Sequence, residues 1–178
     1  MPDLIPFSDV AHYFSDFEHT AWRLETRCGY DSDRQTEEYQ QFLRGERAEE
    51  DLSDPYYEER RRQAAEGKRF ERVRVVDAPP TEGQLYLLHR AQFNAAAGED
   101  IRNLWRADAE RLGLPAEDFW IFDSRVMVTL HFDAEDRMLG VDVTEDPNRV
   151  VRACQVRDAA WHHAIPSSHF KARVPFRV

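Results

Sequence analysis

A chain of 178 residues with 34 acidic and 24 basic side chains, net charge −10, is ample for one domain with a real core and short for two. Its 42% apolar content, with eleven Phe and four Trp, excludes a disordered chain. The acid excess disfavours direct nucleic-acid binding, because such a chain repels phosphates unless its basic residues are concentrated. The densest basic stretch, Glu58-Glu59-Arg60-Arg61-Arg62, is balanced by its own glutamates.

The start, MPDLIPFSDVAHYF, has neither the basic flank nor the apolar run of a secretory leader. No segment approaches the roughly 18 apolar residues of a bilayer span. Cys28 and Cys154 lie far apart and outside any CxxC context, so one disulfide is conceivable but a reduced, cytoplasmic protein is the expectation. Lys68 and Lys171 are the only lysines, and arginine offers a planar fork for carboxylates and phosphates.

In chain order, Phe7, Val10, Phe14 and Phe17 recur at spacings of three and four, which predicts a short helix capped by Ser8. FEHTAWRLETR, 17–27, reads as an extended run. Trp22, Leu24 and Thr26 fall on one face, and His19, Ala21, Arg23, Glu25 and Arg27 on the other. Two polar helices follow, over 33–44 ending at Gly45 and over 54–66 opened by Asp54-Pro55 and closed by Gly67. An acidic loop, Glu46 to Asp54, joins them.

RFERVRVV, 69–76, predicts a strand. Thr81-Glu82-Gly83-Gln84 fits a capping box that opens a helix to about Ala97, with a strand over Leu85–Leu88 as the competing reading. Ile101–Trp105 is a short strand candidate. EDFWIFDSRVMVTLHFDAEDRMLGVDVT, 117–144, reads as consecutive antiparallel strands. In it Val126, Val128, Leu130 and Phe132 alternate with Arg125, Met127, Thr129 and His131. Asp146-Pro147 caps a last helix over 148–163. The fold class expected is α+β: one domain, 1–165, with a mainly antiparallel sheet of about five or six strands and helices packed on it. An extended tail over 166–178 completes the chain.

Candidate chemistry centres on the polar face of the first strand. His19, Arg23, Glu25 and Arg27, joined by Arg74 from the second strand, have the residue types of an anion- or carboxylate-binding surface. The plain alternative is a ladder of opposite charges on a covered or solvated sheet face. Asp123 and His131 are a second pair, a conceivable general base with Ser124 as nucleophile, although Asp123 also suits a tight turn on its own. No GxSxG elbow, P-loop or dinucleotide fingerprint occurs. His162, His163 and His169 lack metal-ligand spacing, and the acidic stretch 133–146 lacks the register of a calcium loop. No metal or cofactor is expected.

FEHTAWRLETR at 17–27, RVRVV at 72–76, AGEDIR at 97–102, DFWIFDS at 118–124 and LHFD at 130–133 resemble a family of actinobacterial proteins built on a domain of unknown function. The resemblance covers most of 10–165. It implies a small cytoplasmic protein, often encoded beside helix-turn-helix regulators, and it assigns no catalytic residues. Two functional expectations follow. The first is a regulatory or accessory protein that binds a helix-turn-helix transcription regulator or a small anionic ligand. The second is a small hydrolase, transferase or toxin-like nuclease using the His/Arg/Glu face.

Overall fold

The computed structural model describes residues 3–46 and 51–174. Seven strands form one sheet: β1 (Thr20–Glu25), β2 (Arg69–Val76), β3 (Glu99–Trp105), β4 (Asp118–Phe122), β5 (Val126–Phe132), β6 (Met138–Thr144) and β7 (Ile165–Pro166). Their spatial order is β6-β5-β4-β1-β2-β3-β7. β1 pairs with β2, and β2 with β3, in parallel; the other four pairings are antiparallel.

The α+β class therefore holds, while the expected mainly antiparallel sheet of five or six strands is corrected to a seven-stranded mixed sheet. The physical reason lies in the connections. A parallel pair needs a crossover of a dozen or more residues, and α2 (Asp31–Arg34), α3 (Glu37–Leu43) and α4 (Pro55–Ala65) supply it between β1 and β2. α5 (Glu82–Ala96) supplies it between β2 and β3. Reading the helices without asking which strands they join leads to the wrong sheet.

Local signals explain most boundaries. Asp54 accepts from the Tyr56 N–H at 2.7 Å and precedes Pro55, a helix start with its first orphan donor satisfied. At Thr81 the capping box is complete: the Gln84 N–H donates to the Thr81 hydroxyl, and the Gln84 side chain accepts from the Thr81 N–H. Helix therefore prevails over strand at Leu85–Leu88. Asp146 caps α7 (Pro147–His163) in the same way. The helix expected over 33–44 is instead two short ones, because Thr36 leaves α2 and caps α3 anew. The first helix also divides, into a 3-10 turn (Phe7–Val10) and α1 (Tyr13–Asp16), and Ser8 caps neither. Of the expected acidic loop, residues 47–50 lie outside the described residues.

Strand alternation sends two sets of side chains to opposite faces. On one, Trp22, Leu24, Val73, Val75, Phe119 and Ile121 pack beneath α7 and α6 (Arg106–Arg111). On the other, Ala21, Phe70, Trp120, Phe122, Val128 and Leu130 form an aromatic-rich cluster with Val10 and Phe17. The segment expected as an extended tail is structured through Val174. Ile165 and Pro166 add β7 to the sheet edge, and α8 (Ser167–Lys171) buries Phe170 against Val76, Leu88 and Trp105. No helix among the described residues is long and apolar enough to cross a membrane. Both cysteines are free thiols.

Candidate functional site

The second face carries charge where apolar residues would be expected. Between the aromatic cluster and the Phe170 cluster, β1 presents Arg23 and Glu25 while β2 presents Arg72 and Arg74, all on the same side by alternation. Register places Arg23 beside Arg72 and Glu25 beside Arg74. Glu25 is 3% exposed and accepts from Arg74 Nε at 2.7 Å and Arg72 Nη1 at 2.8 Å, with Arg23 Nη1 at 3.6 Å.

The arginines extend the pattern sideways. Arg23 Nη2 donates to Asp118 on β4 at 3.1 Å, where the Tyr30 hydroxyl (2.5 Å) and the Thr26 N–H (2.7 Å) also donate. Arg72 Nε donates to Glu99 on β3 at 2.9 Å; Glu99 accepts in addition from Tyr56 and Asn94. Charges of alternating sign thus run across β4, β1, β2 and β3. The guanidinium planes of Arg23 and Arg72 lie 5.5 and 5.2 Å from the Trp120 ring, a favourable cation–π arrangement when desolvated.

Proton chemistry follows from this pairing. Burial would push the Glu25 carboxyl up, but Arg74, Arg23 and Arg72 outweigh it and hold Glu25 well below the usual carboxylate range. Burial would lower Arg23 and Arg72, yet their acidic neighbours keep both firmly cationic. The Tyr30 hydroxyl is pushed well above its ordinary value by burial and by Asp118. Glu25, Arg23 and Arg72 are held in their charged states and Tyr30 in its neutral one. These groups hold charge in place; they do not exchange protons near neutrality.

A cavity of about 550 Å³ opens directly over these four side chains. Its walls come from α2, α4, α5 and the β5–β6 turn: Asp31 and Asp33, Tyr56, Arg90 and Asn94, and Phe132 with Asp136. Arg23 and Arg72 keep 14% and 12% of their side-chain surface exposed. Asp33 has its carboxyl pushed up by burial, opposed by Arg90 at 3.6 Å. Among the described residues the lining includes no histidine, cysteine or threonine. No three His, Cys, Asp or Glu side chains among them are arranged to hold a metal.

Of the seven residues singled out in the sequence, Arg23, Glu25 and Arg74 come together here. Arg27 stands at the rim and fixes it: its Nε donates to Asp136 at 2.8 Å and its Nη2 to the Asp133 carbonyl at 3.1 Å. His19, Asp123 and His131 are elsewhere. The Asp123 carboxylate accepts the backbone N–H groups of Glu18, His19 and Thr20 at 2.7–2.9 Å. Burial pushes Asp123 up, but those three donors prevail and hold it low. It ties the β4–β5 turn to the start of β1, where His19 is largely exposed.

His131 sits toward the far end of β5 on the opposite sheet face, with Nε2 2.7 Å from Asp142. Arg157, not His131, contacts Ser124, donating to its hydroxyl at 2.9 Å. The expected Asp123/His131 base with a Ser124 nucleophile is therefore corrected: strand alternation and the length of β5 keep the members apart.

Sequence reading missed Arg72, Tyr30, Tyr56, Asn94, Glu99 and Asp118. Arg72 was within reach, since it shares a face with Arg74 in RFERVRVV. The others join through crossovers that no local period reveals.

The fold is shared with a solved structure described as a phospholipase D family member, Nuc from Salmonella typhimurium, with a TM-score of 0.53 at 7% identity over 89% of this chain and 88% of that one. Among curated proteins none matches this chain. A family profile described as a domain of unknown function, DUF6879, matches residues 8–172, nearly the whole fold including β7 and α8. The chain belongs to the DUF6879 family.

Proposed function

We propose that the protein is a cytoplasmic accessory protein that works by binding, with a small polar ligand carrying an anionic group held in the cavity over Arg23, Arg72 and Arg74. The observation that carries this reading is the buried Arg–Glu pattern at the cavity floor. Buried ion pairs stabilise less than apolar packing of the same volume, so four charged side chains in the middle of a sheet mark a place where recognition outweighs stability. The cavity is also in the size range of small-molecule sites. Binding is favoured over catalysis because Glu25 is held ionised by three arginines and no histidine or cysteine lines the cavity among the described residues. The fold shared with a phospholipase D family member does not carry a phosphodiesterase reading by itself.

A helix-turn-helix regulator as macromolecular partner is the second reading, favoured by the net charge of −10, which complements a basic DNA-binding domain. In this reading the ligand-loaded state is the one that the partner recognises.

A thermal-shift screen of small polar metabolites against wild type and Ser32→Trp tests the primary reading. Ser32 lines the cavity on α2 and is exposed, so a tryptophan there is expected to obstruct the cavity while leaving the buried arginine pairs of the strands intact. A ligand at a hundredfold excess over its Kd adds about 2.7 kcal/mol, which is about 5–10 °C for a domain of this size. The reading expects such shifts in wild type and their loss in Ser32→Trp. A library that shifts neither protein, or shifts both equally, overturns it.

A further inference from the structure

We infer that the ligand of this cavity is a zwitterion of the amino-acid class, its carboxylate directed to the arginine floor and its ammonium group to Asp31 and Asp33 on α2. The inference deepens the binding reading and rests on it. It comes from how the acidic groups around the cavity are already occupied. Glu25, Asp118 and Glu99 each accept from at least two donors of the protein. They are committed to holding the floor together.

Asp31 and Asp33 are different. Asp31 accepts from the Gln35 amide at 2.6 Å, and Asp33 has a 3.6 Å ion pair with Arg90, longer than a hydrogen bond. Both face the same cavity as Arg23 and Arg72. The rim cation Arg137 makes its direct ion pairs with Asp133 and Glu135 and reaches Asp31 through a longer-range attraction alone. The cavity therefore meets the partly exposed guanidinium groups of Arg23 and Arg72 at its floor, while the side chains of Glu25, Asp118 and Glu99 beneath them are 3% exposed or less. On α2 it meets an acidic wall whose carboxylates retain capacity to accept. A purely anionic ligand meets repulsion at that wall, and a purely cationic one meets it at the floor. Opposite charges on one small molecule satisfy both. Burial pushes the Asp33 carboxyl up, and an arriving ammonium group would act against that rise, as an opposite charge favours the ionised form.

The test is isothermal titration calorimetry of the full chain with the twenty L-amino acids, each beside its N-acetyl and its carboxamide derivative. At least one free amino acid binds, and losing either charge weakens it about tenfold or more. Asp33→Asn and Asp31→Asn, each checked for wild-type melting, lose the discrimination against the N-acetyl form while keeping that against the carboxamide. An N-acetyl derivative that binds as tightly as its parent overturns the zwitterion inference and leaves the anionic-ligand reading standing. So does a panel in which no amino acid binds although another small anion gives a shift that Ser32→Trp abolishes. Binding of neither amino acids nor anions overturns both.

Discussion

Trp22, Leu24, Val73 and Val75 point to one side of β1 and β2, and Arg23, Glu25, Arg72 and Arg74 to the other. The first set meets Val150, Ala153, Val156 and Ala160 of α7 directly, as ordinary apolar packing. Over the second set the helices touch through polar groups, the Leu87 carbonyl of α5 on Arg74 and the Tyr56 hydroxyl of α4 on Arg72, each at 2.8 Å, and leave beside them a cavity of about 550 Å³. Two strands thus carry a packing surface and a charged floor in alternate residues. The apolar face anchors the strands while the charged face holds its side chains in fixed positions, which is what a preorganised site requires.

The largest expected effect comes from breaking the charged face at its hub. Glu25→Ala leaves Arg23, Arg72 and Arg74 buried without their shared acceptor, and removing one partner of a buried pair costs about 3–5 kcal/mol, measurable by urea denaturation. That equals or exceeds Leu24→Ala on the apolar face, at about 2–5 kcal/mol. Replacing the four charged residues together by Leu and Met is expected to abolish every ligand-dependent thermal shift, and to cost further stability because Asp118 and Glu99 then stay buried without Arg23 and Arg72. Retained shifts in that variant contradict the account.

Acid separates the faces next. Since native Glu25 lies below its unfolded value, its contribution is complete above the ordinary glutamate pKa, about 4.3. It is lost as pH falls from there toward the depressed native value. Asp33 and Glu71, raised by burial, run the other way, so acidification relieves their cost. The stability gap between wild type and Glu25→Gln therefore narrows between about pH 4 and 3, and a gap unchanged from pH 7 to 3 sinks the assignment. The smallest effect belongs to Asp123→Asn. Its backbone angle, φ 52°, suits asparagine, but one amide oxygen cannot serve three N–H groups, and the loss is about 1–2 kcal/mol by chemical denaturation. Ligand binding is expected to be unchanged, because Asp123 lies outside the cavity.

What the sequence made legible divides along the same line. RFERVRVV and the DFWIFDS–LHFD region declare strands by period two, and Asp54, Thr81 and Asp146 declare helix starts by their capping oxygens. Alternation alone put Arg23 and Glu25 on one face and Trp22 and Leu24 on the other. Parallel pairing was hidden, since it depends on which strands the crossovers join. Phe170 shows the same limit at the chain end: a sequence that reads as extended turns into α8 once Val76, Leu88 and Trp105 offer it a pocket. In the site, Tyr30, Asp118 and Glu99 reach Arg23 and Arg72 from remote segments, and no spacing rule connects them.

The central claim is that ligand is held on the charged face of β1 and β2. Its most direct test follows the arginine Nε–H signals in a nitrogen-15 spectrum during titration with a compound that raises the melting temperature. The account predicts that the signals of Arg23 and Arg72 move in proportion to occupancy while those of Arg102 and Arg149, at the opposite face, stay still. Movement confined to Arg102, Arg149 or exposed arginines such as Arg62 would place the ligand elsewhere and contradict the account.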